Sequence, residues 1–230
     1  MNILPEISVN SNHLEEIYKD LHSHPELGFE EERTSKIVQE KLKEYGVDEI
    51  HTEIGKTGVV GIIRGNDGGG NRRIGLRADM DALPIQEDTG LSYASKVDGK
   101  MHACGHDAHT TMLLGAAKYL AKTRNFSGTA ILIFQPAEEG QGGAIKMLDD
   151  GLFKKFPCDE IYGIHNFPNG KNGEIGICKG KAMAGAAIFD ININGIGSHA
   201  AMPHQSKDPI IIAHVLITQL QSILSRNVPP

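Results

Sequence analysis

The residues from 102 to 109, His-Ala-Cys-Gly-His-Asp-Ala-His, place one thiol, three imidazoles and one carboxylate within eight positions. Two later segments carry similar groups: Glu138 and Glu139 follow Gln-Pro-Ala, and His165 lies in Gly-Ile-His-Asn-Phe. Thiolate, imidazole and carboxylate groups bind divalent transition metals, and of two adjacent glutamates one can bind metal while the other acts as a general base. The pattern predicts a metal-dependent hydrolase.

Each of these residues also has a simpler interpretation. An isolated Cys104 would more often be a small buried hydrophobic residue than a ligand. The Glu138–Glu139 pair alone could be a solvated loop, and a lone His165 could be a core histidine with satisfied hydrogen bonds. Asp79 and Asp81 either cap a loop or orient a ligating imidazole. The metal hypothesis therefore depends on these segments meeting in space.

Helical and strand patterns alternate along the first 180 residues. Apolar spacing predicts helices near 11–21, 31–45, 109–122 and 144–149. Short apolar runs predict strands at 59–63, 74–78, 130–134, 160–164 and 174–178. The turn-forming residues 66–71 predict a β-hairpin between the strands at 59–63 and 74–78. This order predicts an α/β fold with helices on both faces of a sheet.

The candidate ligands follow the predicted strands. Asp79 and Asp81 come after strand 74–78, the Glu138–Glu139 pair after strand 130–134, and His165 after strand 160–164. Ligands in open α/β sheets gather beyond the carboxyl ends of strands. The segment that contains Cys104 directly precedes a helix, so all four segments are expected at one edge of the sheet.

Composition limits the class of protein. Of 230 residues, 40% are hydrophobic and 23% charged, as in an ordinary globular protein. The net charge of −6 and the absence of a basic cluster argue against nucleic-acid binding. No apolar stretch is long enough for a membrane span, and the N-terminus lacks the pattern of a signal peptide. Three cysteines without a CxxC spacing favour a reducing, cytoplasmic location.

The pattern changes after Gly180. Residues 186–195 alternate apolar and polar, which predicts a strand with one exposed face, and Asp208-Pro209 opens a helix. One strand and one helix cannot bury their own apolar faces. We therefore expect residues 1–181 to form a catalytic metal-binding domain and residues 182–230 to form only part of a second domain.

Four ordered motifs, at 21–31, 77–84, 101–107 and 135–140, closely resemble the M20 metallopeptidase family. The resemblance is to its amidohydrolase branch, which includes hippurate hydrolases, N-acyl-amino-acid deacylases and auxin-conjugate hydrolases. It implies a zinc-peptidase-like catalytic domain of α/β class, with a mixed sheet and flanking helices. It also implies an inserted α+β lid domain that often forms a dimer contact.

The resemblance also implies the metal site. Four residues match the metal ligands of the family: Cys104, His106, Glu139 and His165. It implies two divalent ions in an intact site, zinc or manganese, with cobalt and nickel as alternatives. A further histidine ligand of the family lies in a C-terminal return segment, and no residue of this chain matches it. The expectation is therefore a partial site, which a complementing C-terminal chain would complete.

Catalytic roles follow from the same resemblance. Glu138 matches the general acid/base that takes a proton from the attacking water and passes it to the leaving amine. Asp81 and Asp79 match the aspartate motif beneath the metals, and His199 matches a lid histidine that helps to hold the substrate. The implied reaction is cleavage of the amide bond of a small N-acyl amino acid. A homodimer through the lid domain is also expected.

Two alternatives remain open from the sequence. The chain could be an inactive remnant or binding module with a partial metal site, or it could be a dinuclear-metal peptidase that acts on peptides. Cys104-Gly105-His106 stands where peptidase branches have an aspartate-centred motif, which argues against the second alternative.

Overall fold

The computed structural model describes residues 4–66, 71–171, 173–183, 185 and 188–227. The chain divides into two compact units, Met1–Glu174 and Ile175–Pro230. The sequence places the domain boundary between 181 and 182, and that boundary stays a prediction. None of the described helices combines the length and apolar character that crossing a membrane requires.

The first unit alternates helices and strands, as its sequence predicts. Its described helices are α1 (Pro5–Ser8), α2 (Ser11–Ser23), α3 (Glu32–Glu44), α4 (His106–Thr123), α5 (Gly143–Asp149) and α6 (Leu152–Lys155). Its described strands are β1 (Glu49–His51), β2 (Val59–Arg64), β3 (Arg73–Asp79), β4 (Thr129–Gln135) and β5 (Glu160–Gly163). The predicted α/β class with a mixed sheet and flanking helices is confirmed.

The described strands form one mixed sheet in the order β1-β2-β4-β3-β5. Strand β2 pairs antiparallel with β1 and β4, whereas β3 runs parallel to both β4 and β5. The predicted hairpin between β2 and β3 is therefore wrong, because β4 lies between them. The centre of the predicted turn, residues 67–70, lies outside the described residues.

Strand β4 lies at the centre of the sheet, and both of its faces are apolar. Leu132 and Phe134 pack on one side with α2, α3 and α4, and Ile131 and Ile133 pack on the other with α5 and α6. All four side chains are buried. Each fully buried side chain of this size stabilises the fold by about 1.5–3 kcal/mol, so β4 holds the two layers together.

Two predicted strands do not form. Residues 174–178 and 188–195 are irregular, while residues 186 and 187 lie outside the described part. A strand needs a neighbour to pair its backbone groups, and no described strand lies beside either segment. The second unit instead contains a 3₁₀ turn at Pro203–Gln205 and the predicted helix, α7 (Pro209–Asn227). The Asp208 carboxylate accepts a hydrogen bond from the Ile210 N–H at 2.8 Å and caps α7.

Candidate metal centre

The carboxyl ends of three neighbouring parallel strands carry the candidate ligands. Strand β3 ends at Asp79, β4 leads through Gln135 to the two glutamates, and β5 leads to His165. Helix α4 begins at His106 against the same edge of the sheet, and its Thr110 hydroxyl donates to the Asp79 carbonyl at 2.8 Å. The expected convergence of four segments is therefore present.

His106 lies at the centre of this convergence. Its buried ring places Nδ1 3.1 Å from Asp81 Oδ1, and Nε2 lies 3.7 Å from Asp79 Oδ2 and 3.8 Å from Glu139 Oε1. Nε2 is buried without a hydrogen-bond partner among the described residues. A buried polar atom in a native fold is nearly always satisfied, so an unpartnered imidazole nitrogen facing carboxylates fits a metal ligand.

Cys104 and His165 lie beside His106. The Cys104 thiol sulfur is 3.5 Å from Nε2 of His165. The Nδ1 atom of His165 lies 2.8 Å from the Asn166 carbonyl, to which it donates when protonated, so Nε2 is left with a free lone pair. The donor atoms of Cys104, His106 and His165 all lie within 4.8 Å of one another.

The two glutamates approach His106 from the loop after β4. The side chain of Glu138 is exposed and that of Glu139 is half-buried. Both place a carboxylate oxygen within 4.8 Å of His106 and of each other. The Glu139 N–H donates to Asp81 Oδ2 at 2.9 Å, so the loop is tied to the aspartate that also orients His106.

The charges around the centre would favour a cation. Burial raises the pKa of the Cys104 thiol to about 12, and the neighbouring carboxylates of Glu139, Asp79 and Glu138 add to this effect. Burial alone would lower the pKa of His106, but the hydrogen bond to Asp81 and the nearby carboxylate charges leave it raised. Excess negative charge would be neutralised by a divalent ion, which also converts the thiol to a thiolate ligand.

Asp79 is held as a carboxylate beneath the centre. Its burial would raise the pKa, but the hydrogen bond to His109 and the charges of His106 and Arg77 lower it to about 2. His109 Nδ1 lies 2.6 Å from Asp79 Oδ1, and Arg77 Nη1 donates to Asp79 Oδ2 at 2.7 Å. Asp79 thus supports the ring of His109 as well as facing His106.

Two residues of the site were not assigned from the sequence. His109 Nε2 lies 2.7 Å from Asn166 Oδ1 and 3.1 Å from the Asn166 backbone nitrogen, which donates to it. This contact links α4 to the loop that carries His165. The signals were the three-residue spacing from His106 on one helix, which places both rings on the same face, and the position of Asn166 next to His165.

His199 belongs to the second unit. There its Nδ1 accepts a hydrogen bond from the Ala201 N–H at 3.1 Å, and its side chain is exposed. The role of His199 at the metal centre stays a prediction.

The donor set fits a borderline-soft divalent ion. One sulfur, two imidazole nitrogens and carboxylate oxygens are available, and a mixture of sulfur and nitrogen donors suits zinc-like ions better than calcium or magnesium. The Asp81–His106 contact supplies the partner that commonly orients a ligating histidine.

This fold and these converging side chains define an α/β protein with a candidate metal centre, and comparison with known proteins identifies its family. Residues 75–228 match the model of peptidase family M20/M25/M40. The chain belongs to this M20 family.

Relatives and solved structures agree. The chain is 53% identical over 230 residues to a hippurate hydrolase of Campylobacter jejuni, across 100% of this chain and 59% of that protein. It is 46% identical to an N-acetylcysteine deacetylase of Bacillus subtilis, across 91% of this chain and 54% of that protein. A crystal structure of a dinuclear metal binding M20 peptidase from Bacillus subtilis superposes with a TM-score of 0.66 at 44% identity, across 70% of this chain and 45% of that one. The chain thus spans between about half and three fifths of the length of the curated relatives it matches.

Proposed function

We propose that the protein is a metal-dependent amidohydrolase that cleaves N-acyl amino acids into a carboxylate and a free amino acid. One observation carries the proposal: the unpartnered Nε2 of His106 lies at the meeting point of thiol, imidazole and carboxylate donors. Such a centre, directly beside an exposed glutamate, has the parts that hydrolysis of an amide needs.

The residues of the centre would have two roles, as metal ligands and as a general acid/base. Cys104, His106, Glu139 and His165 would hold the metal, and Asp81 keeps His106 oriented. A bound divalent ion supplies a lower pKa for water and polarisation of the amide carbonyl. Glu138, the most exposed acid of the centre, takes a proton from the attacking water and delivers it to the leaving nitrogen.

The substrate class is supported by the names of the relatives. Hippurate and N-acetylcysteine are both amides between an acyl group and an amino acid. The name of the Bacillus subtilis structure describes two metals, and we propose two here in the intact site, zinc or manganese, with cobalt or nickel able to substitute.

His199 would contact the substrate from the lid domain, and a second copy would dimerise through that domain. A complementing C-terminal segment would add the remaining metal ligand. The free thiols of Cys104, Cys158 and Cys178 are consistent with a reducing cytoplasm.

The test is hydrolysis of a panel of N-acyl amino acids, with free-amine dipeptides as the alternative substrates. The purified chain is assayed with Mn²⁺ or Zn²⁺, beside the E138Q variant and a full-length relative. Chelator-sensitive release of amino acid that E138Q loses supports the proposal. Cleavage of dipeptides alone would favour a peptidase, and metal binding without any hydrolysis would favour a binding module.

A further inference from the structure

Glu31 is a buried carboxylate that connects the start of α3 to the loop after β4. Its side chain is 0% exposed. Oε1 accepts a hydrogen bond from the Ala137 N–H at 2.7 Å, and Oε2 accepts one from the Thr57 hydroxyl at 2.6 Å. Glu31 therefore joins residues that are far apart in sequence, directly beside the two glutamates of the metal centre.

The backbone of Ala137 has an unusual conformation at this contact. Its φ of 47° lies in the left-handed region, which a residue with a side chain adopts only at a cost. The Ala137 carbonyl accepts from the Gly143 N–H at 2.9 Å, so both backbone groups of this buried residue are fixed. Ala137 directly precedes Glu138. Its φ and ψ therefore determine the direction in which the loop with the two glutamates continues after β4.

Burial of Glu31 needs compensation. Loss of water raises the pKa of the Glu31 carboxyl, an effect that the hydrogen bonds from Thr57 and Ala137 partly oppose. No Lys, Arg or His forms an ion pair with Glu31 among the residues that the structure describes. The two hydrogen bonds from Thr57 and Ala137 are therefore the main interactions that offset its desolvation.

We infer that Glu31 is a positioning residue that fixes the backbone of Ala137 and thereby directs Glu138 and Glu139 at the metal centre. The inference rests on the proposed function for its catalytic consequence. Glu31 is assigned no step of the chemistry, because its side chain is fully buried and is held by Ala137 and Thr57.

Four variants distinguish the role of Glu31 as a hydrogen-bond acceptor from an effect of its charge and from an effect on the stability of the fold. E31Q keeps an acceptor for the Ala137 N–H, and its amide group can donate to the Thr57 oxygen. E31A removes both contacts, and T57V removes one of them while leaving Glu31 in place. The adjacent exposed Glu32 gives the control, E32A.

Two measurements are made on the full chain. Amide hydrogen exchange at Ala137, in metal-free protein, reports the hydrogen bond, and calorimetric titration with Co²⁺ reports the centre. We expect E31A to speed exchange at Ala137 and to weaken Co²⁺ binding by about 10–100-fold, the usual effect of losing a support of metal ligands. E31Q and E32A should stay close to the wild type, and T57V should fall between them and E31A.

Either of two results would overturn the inference. One is unchanged exchange and Co²⁺ affinity in E31A, or in T57V if E31A does not fold. The other is a loss in E31Q as large as in E31A, which would make the charge rather than the acceptor responsible. A merely structural role would lower the unfolding temperature without changing Co²⁺ affinity. If the wild type binds Co²⁺ with the expected variant pattern but hydrolyses no amide, the proposed function fails while the positioning role stands.

Discussion

The Asp81 carboxylate holds His106 through Oδ1, which lies 3.1 Å from the His106 Nδ1 atom. The other oxygen accepts the Glu139 N–H at 2.9 Å. With Nδ1 donating to Asp81, the His106 proton is placed away from Nε2, and that nitrogen keeps its lone pair for a metal. One aspartate thus orients the ring of one candidate ligand and the backbone of another.

We predict that D81A weakens Zn²⁺ binding by about 10–100-fold, as loss of an orienting carboxylate usually does. The reason is that His106 can then rotate or carry its proton on Nε2. Competition with a chromophoric chelator measures the affinity. The exposed Asp88 supplies the control, D88A, which should bind like the wild type. Equal affinities in all three proteins would contradict the orienting role of Asp81.

Gly105, between two candidate ligands, provides a second prediction. Its φ is +92°, and a Cβ atom there would lie 2.6 Å from Asn166 Oδ1. G105A should therefore displace Asn166, and with it His165, and should bind metal at least about tenfold more weakly, the usual effect of disturbing the support of ligands.

The control for G105A is G90A, because Gly90 also has a positive φ, +68°, but a Cβ there meets nothing within 4 Å. G90A carries only the backbone strain, about 1–2 kcal/mol, without the collision. Metal affinity by chelator competition should be normal in G90A. Parallel losses in both variants would show that strain alone, rather than the contact with Asn166, accounts for the effect.

Stability against acid gives a third prediction, away from the metal centre. The Arg124 guanidinium, opposed by partial burial, holds the pKa of Asp48 below its ordinary value of 3.8. Asp48 Oδ2 accepts from Arg124 Nη1 at 2.8 Å and from the Arg64 N–H at 2.7 Å. Because the folded pKa is the lower one, this stabilisation is present above 3.8 and is lost as the pH falls through the folded value.

We therefore expect D48N to lower the free energy of unfolding at pH 7 by about 0.2–1 kcal/mol, the usual range for a partly exposed ion pair. Urea unfolding at several pH values measures this, and the difference from the wild type should shrink below pH 3.8. The variant D98N, at an exposed aspartate, is the control. A difference that grows on acidification would mean that the sign of the argument is wrong.

Local patterns in the sequence predicted the elements better than their pairing. The apolar run of 130–134 requires cover on both faces, and β4 is indeed central. The hairpin prediction was wrong because β4 lies between β2 and β3. The turn-forming residues at 66–71 do not reveal that a strand distant in sequence inserts there. Pairing depends on contacts far apart in sequence, which a short window does not contain.

The convergence of the candidate ligands could be predicted where residues able to bind metal follow the ends of strands. Asp79, the glutamate pair and His165 all follow strands, and the structure brings them to His106. The supporting contacts of His109 and Glu31 were not predicted. The three-residue spacing from His106 was a signal for His109, but nothing in the sequence pairs Glu31 with Ala137. Their roles depend on Asn166 and Ala137, which only the fold brings near.

The last prediction is that metal stabilises the first unit through Cys104. A ligand that binds only the folded state at 100 times its Kd adds about 2.7 kcal/mol. For a unit of this size that corresponds to a rise in Tm of about 5–10 °C. The wild type should show this rise in a thermal scan with Zn²⁺ against chelator.

The C104S variant should lose most of this rise, because a hydroxyl is a far poorer zinc ligand than a thiolate. The exposed Cys178 belongs to the second unit, so C178S is the matched control and should keep the full rise. Differential scanning calorimetry of the three proteins, each with and without Zn²⁺, measures the rise in Tm. An equal rise in C104S and the wild type would place the zinc elsewhere than beside Cys104, whereas a selective loss would make its sulfur a ligand.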